Sequence, residues 1–199
     1  MNWQEDCERF LREIAPEDLE AVAIAIEPAT NELPDSVLAI CDDSGDGFHC
    51  LIRIGEIKSV QQLVGTVLHE FSHYLDNPPE KRKPSTPKTQ VEIETDKLQL
   101  ALAMDWVKAG LVPTWLGHEE RFVRACCHLW YRGNQAMASL RPKHLVFGER
   151  YYPVHFTENA WIQSLSDELG YHGSIRQLLD TSPPERFNEL YRLATNENN

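Results

Sequence analysis

The sequence has no apolar run near the ~18 residues that a membrane span requires. Its opening, Met1-Asn2-Trp3-Gln4-Glu5-Asp6, lacks the basic and apolar regions of a secretory signal, so the cytoplasm is the expected compartment. Basic residues are scarce, 19 Lys and Arg against 31 Asp and Glu, for a formal net charge of −12. Such a molecule repels polyanions and anionic lipid surfaces, so neither nucleic acid nor membrane is an expected partner. The 5 cysteines are odd in number and have no disulfide-framework spacing, which predicts free thiols. What remains is ordinary: 42% hydrophobic and 25% charged residues exclude a disordered chain, and 199 residues suffice for one domain, 1–199, with a sizeable core.

Trp3, Cys7, Phe10, Leu11 and Ile14 recur at helical spacing, whereas residues 21–26 and 37–41 are short apolar runs that read as buried strands. Asp42-Asp43-Ser44-Gly45-Asp46-Gly47 is turn chemistry before an alternating strand, Phe48 to Ile54. The same stretch matches the first half of a calcium loop, but Arg53 stands where the bidentate carboxylate must be, and the reading stays a turn. Ser59-Val60-Gln61-Gln62 is a capping-box pattern that predicts a helix to about Asp76, stopped by Asn77-Pro78-Pro79. A basic loop with Lys81, Arg82, Lys83 and Lys88 leads to a second helix, Val91 to about Ala109, and a third is expected over 118–132. Ser174 and Ser182 each open a further capping box, the second with Pro183 as first helical residue.

His69-Glu70-Phe71-Ser72-His73 lies inside the first capped helix and has the form HExxH. Two imidazoles four residues apart share a helix face and can ligate one Zn²⁺, with the Glu beside them able to take a proton from water at the metal. Roughly 0.03 matches are expected by chance at this composition, so further features must agree. Val60, Leu63, Val64, Val67, Leu68, Phe71, Tyr74 and Leu75 form the helix's apolar stripe. His69 and His73 fall opposite it with Gln62, Gly65 and Thr66, small neighbours that let a ligand or another element approach. The plain alternative is a pair of histidines on a solvated face.

A catalytic zinc needs a third protein ligand. Glu92-Ile93-Glu94-Thr95-Asp96, at the start of the next helix, completes an ExxxD pattern, and Glu94 makes it ExExD. Over about residues 59–103 the chain resembles the gluzincin branch of the zincin metallopeptidases, the thermolysin-like group, and within it the minimal zincins. The xxGxxH continuation of metzincins is absent, since Asp76 and Pro79 occupy those positions. The resemblance implies a single α+β zincin-like domain with a small N-terminal sheet, two metal-bearing helices and a mostly helical C-terminal half. It implies Zn²⁺ on His69, His73 and Glu92, Glu70 as general base in peptide-bond hydrolysis, Asp96 orienting a ligand imidazole, and Phe48–Ile54 as the edge strand aligning a peptide or protein substrate.

Glu94 and His118 remain alternative third ligands, and a carboxylate cluster that only stabilises a helix start is the plain reading of 92–96. Candidates for stabilising an oxyanion are His118, His128, Tyr131, His144, Tyr151 and His155. On the third helix Arg121, Arg124, His128 and Arg132 share a face expected to be solvated, and vicinal Cys126 and Cys127 are expected to be buried free thiols. The function of a different class is a catalytically silent, zinc-stabilised regulatory module that binds a protein partner.

Overall fold

The computed structural model describes residues 2–20, 22–29, 39–42, 50–77, 91, 94–95, 98, 119–137, 158–170 and 173–196. Helix α1 (Trp3–Ile14) starts at Asn2, whose side chain accepts from the Gln4 amide at 3.2 Å, and it buries Cys7, Leu11 and Ile14. Three strands follow, β1 (Ile24–Pro28), β2 (Ala39–Asp42) and β3 (Cys50–Ile54). They form one sheet in the order β1-β3-β2, with β1 parallel to β3 in the register Ile26↔Ile52 and β2 antiparallel to it in the register Cys41↔Ile52.

That order corrects one expectation. The strand ending at Ile54 is the centre of the sheet, its backbone paired on both sides, and it cannot take up a peptide by strand addition. Cys50, Leu51, Ile52 and Ile54 are all buried, as a central strand covered on both faces should be. Among the described residues the edge nearest the HExxH helix is β2.

Helix α2 (Val60–Asp76) has the expected limits. The Ser59 hydroxyl accepts from the Gln62 amide at 3.1 Å, while Gln62 Oε1 accepts from the Lys58 amide, one residue outside the usual box. Val67, Leu68, Phe71 and Leu75 are fully buried between the sheet and the helices, and Gly65, Thr66 and Ser72 on the other side are buried too. The helix is therefore enclosed on more than its apolar stripe. Val91, Glu94, Thr95 and Leu98 are helical, in keeping with the expected second helix.

Helix α3 (Glu120–Met137) runs five residues past the expected end at 132, through a buried Gly133. Behind it stand α4 (Glu158–Ser164), α5 (Ser166–Leu169), α6 (Ile175–Leu179) and α7 (Glu185–Asn196). Ser174 caps α6 through the Gln177 amide as expected. Helix α7 starts two residues late, since the Asn188 amide donates to the Pro184 carbonyl and leaves Pro183 outside. The architecture is α+β, mostly helical with a small N-terminal sheet. No helix among the described residues is long and apolar enough to cross a membrane. All five cysteines are free thiols; buried Cys126 donates to Ser72 Oγ at 3.0 Å, and burial pushes the Cys127 thiol up to about 12.

The basic face of α3 is not solvated. Arg124 and His128 are each 1% exposed, and both bind Glu168 of α5. Arg124 makes a two-point ion pair with that carboxylate and donates to the Thr181 carbonyl at 2.9 Å. Arg121 donates to the Asp76 carbonyl at 3.2 Å, and Arg132 to the Gly173 carbonyl at 2.8 Å. The sequence shows a polar stripe but not its partners, because Glu168 and Thr181 lie 40 or more residues away. Asp18, from the turn after α1, closes the layer by accepting from Ser174 Oγ at 2.6 Å and from the Ile175 and Arg176 amides at 2.8 and 3.0 Å.

Burial holds the His128 imidazole below its ordinary 6.5, against the opposing pull of Glu168, so the folded protein keeps it neutral where the unfolded chain is already protonated. The neutral ring's contribution to stability is therefore complete above pH 6.5 and is lost as pH falls through the lowered folded value. In His128→Gln, which keeps a donor for Glu168, stability should fall less steeply below pH 6.5. Urea midpoints at pH 7.5 and 5.5 check this, and equal losses in the two proteins would sink it.

Candidate metal centre

At about 100° per residue, Thr66, His69, Glu70 and His73 lie within one ~100° arc of α2. Both imidazoles are half-buried, with ring centres 5.1 Å apart and planes at 81°. Two imidazoles bound to one tetrahedral Zn²⁺ at about 2.1 Å put their ring centres about 5 Å apart, so the spacing of this pair is compatible with one shared metal. Phe122 of α3, itself fully buried, packs edge-on to His69 at 5.1 Å and against His73 at 4.4 Å. The two histidines therefore do not stand on an open, solvated face. Their rings are confined by an apolar wedge, which limits the rotamers available to them.

Glu70 is 7% exposed, a buried carboxyl turned toward β2, where it accepts a hydrogen bond from the Cys41 backbone amide. Burial pushes it up to about 7 despite that bond, which favours the ionised form. A carboxyl balanced near neutrality can both accept and return a proton. Since Cys41 N–H meets Glu70, it points away from β3, on the side of β2 that pairs with no strand among the described residues.

Of the remaining candidates, Glu94 is exposed. Glu92, Asp96, His118, His144, Tyr151 and His155 lie outside the described residues, as do most of the turn 42–47 and the whole basic loop. Among the described residues no three His, Cys, Asp or Glu side chains converge as a metal set. His128 is corrected as an oxyanion candidate: Phe122 and Cys126 face α2, and His128 is turned to Glu168 on another side of the same helix. Tyr131 lines a groove with Glu13 and Arg132 between α1 and α3, also away from that contact. Two contributors escape the sequence reading. Phe122 stands out only as one more apolar residue of an amphipathic helix, and the Cys41 amide has no side-chain signal at all.

No family model matches the chain, nor does any curated protein or solved structure.

Proposed function

We propose that the chain is a zinc-dependent peptidase of the gluzincin-like kind, and the observation that carries the reading is the paired imidazoles of α2, 5.1 Å apart beside a buried carboxyl near neutrality. His69 and His73 hold the metal with Glu92 as third ligand. Glu94, whose side chain is exposed, is the alternative third ligand. Zinc supplies a Lewis acid that lowers the pKa of water and polarises a carbonyl. Glu70 takes the proton from the attacking water and hands it to the departing amine. Phe122 keeps both imidazoles in place and excludes water from their outer faces. An extended peptide substrate laid along the side of β2 that pairs with no strand among the described residues meets Glu70 at Cys41, which makes this strand, and not β3, the substrate rail of the zincin-like arrangement.

Zinc content tests the assignment on protein purified without chelators. Near one zinc per chain is expected in the wild type and in His118→Ala, with loss in His69→Ala, His73→Ala and Glu92→Ala. No zinc in the wild type after reconstitution would end the reading, and zinc retained in Glu92→Ala would move the third ligand elsewhere.

A further inference from the structure

Thr66 sits one turn before His69 and Glu70 and is 1% exposed, yet its hydroxyl has no hydrogen-bond partner among the described residues. A helical Ser or Thr commonly returns its hydroxyl to the carbonyl four residues back. Among the described residues Ser72 does so to the Leu68 carbonyl and Thr95 to the Val91 carbonyl, each at 2.8 Å. Thr66 makes no such bond to Gln62. Its oxygen is turned off the backbone while still buried, and an unmet buried hydroxyl is a standing cost to the fold.

Helical side chains lean toward the N-terminus, so His69 and Glu70 overhang the turn that carries Thr66. Glu70 already has the Cys41 amide. A metal-bound imidazole needs an acceptor for its other ring N–H, which fixes tautomer and orientation and raises basicity. Two imidazoles need two acceptors, and the ExxxD resemblance offers one, Asp96.

We propose that Thr66 is a positioning residue of the metal site, its hydroxyl oxygen accepting the N–H of the His69 ring nitrogen that does not bind the metal. The assignment rests on the zinc reading above. It gives a role to a hydroxyl at a buried helix position where it has no hydrogen-bond partner among the described residues.

The test compares full-length wild type, Thr66→Val and Thr66→Ser, each stripped of metal and titrated with Zn²⁺ against a competing chelator, with the metal-free thermal midpoint recorded alongside. Thr66→Val should weaken zinc binding about 10- to 100-fold. Its metal-free midpoint should rise by about 4 °C, since the orphan hydroxyl is gone. Thr66→Ser should bind zinc as the wild type does. Wild-type affinity in Thr66→Val would overturn the positioning role and leave the zinc reading standing, as would a lowered metal-free midpoint, which would mean the hydroxyl already has a structural partner. A wild type that binds no zinc would overturn both.

Discussion

Glu70→Gln should make the metal-free protein more stable at pH 8 by about 3 kcal/mol while lowering peptide hydrolysis at least about 100-fold in the zinc-loaded protein. Burial moves this carboxyl from its ordinary 4.5 to about 7. The folded state thus holds the proton more tightly than the unfolded chain. Stability associated with it is complete below pH 4.5, declines as pH rises, and is fully lost above about 7. Glutamine escapes that loss because it never ionises, and its carbonyl can still accept from Cys41. Denaturant titrations of chelated protein at pH 4 and 8 should show the variant gaining on the wild type only at the higher pH. The same difference at both pH values would mean that charge burial is not the cause, and hydrolysis retained in the variant would remove Glu70 from the chemistry. A carboxylate kept at this cost, with a neutral isostere one substitution away, favours a role in function over one in folding.

The second large effect lies away from the HExxH face of α2. Glu168→Gln leaves Arg124, 1% exposed, without its counter-charge, and should destabilise the protein by about 3–5 kcal/mol. Burial alone would push Glu168 up, but bonds from His128 and Arg124 and the Arg124 charge hold it below the usual carboxylate range. This pair therefore contributes fully above the ordinary carboxyl value and fails as pH falls through the lower folded one, the reverse of Glu70. Pairing Glu168→Gln with Arg124→Met should restore much of the loss, because no charge is then left stranded. A double variant as unstable as the sum of the two singles would show that the ion pair is not the relevant coupling.

The contrast between these two carboxylates shows where sequence is informative. The limits of α2 are legible because Ser59, Gln62, Asn77 and Pro78 mark helix ends by local rules, whereas α1 is legible from the spacing of Trp3, Cys7, Phe10, Leu11 and Ile14. The three strands are legible as apolar runs, but their order is not. An alternating or apolar pentapeptide looks the same at an edge as at a centre, and only the pairing of β3 with both neighbours tells them apart. On α3, the row Arg121, Arg124, His128 and Arg132 has the periodicity of a solvated face, and burial reverses its meaning because Glu168, Thr181 and Gly173 arrive from the far end of the chain. For the candidate site, HExxH gives the two imidazoles and the carboxyl outright. Their confinement by Phe122 and the bond from the Cys41 amide arise from tertiary packing, which has no short-range signature.

The three bonds from Asp18 to Ser174, Ile175 and Arg176 span 156 to 158 residues and join the turn after the first helix to a layer near the other end of the chain. Together with the parallel β1–β3 pairing, they give the protein a topology whose closing contacts must wait on large loop entropies, so refolding should be slow for its size. The Ile175 and Arg176 amides, held by a carboxylate that is itself 3% exposed, should be released to solvent hydrogen exchange only when the N- and C-terminal parts separate. Asp18 is in effect a clasp, and exchange at those two amides reports when the whole molecule opens.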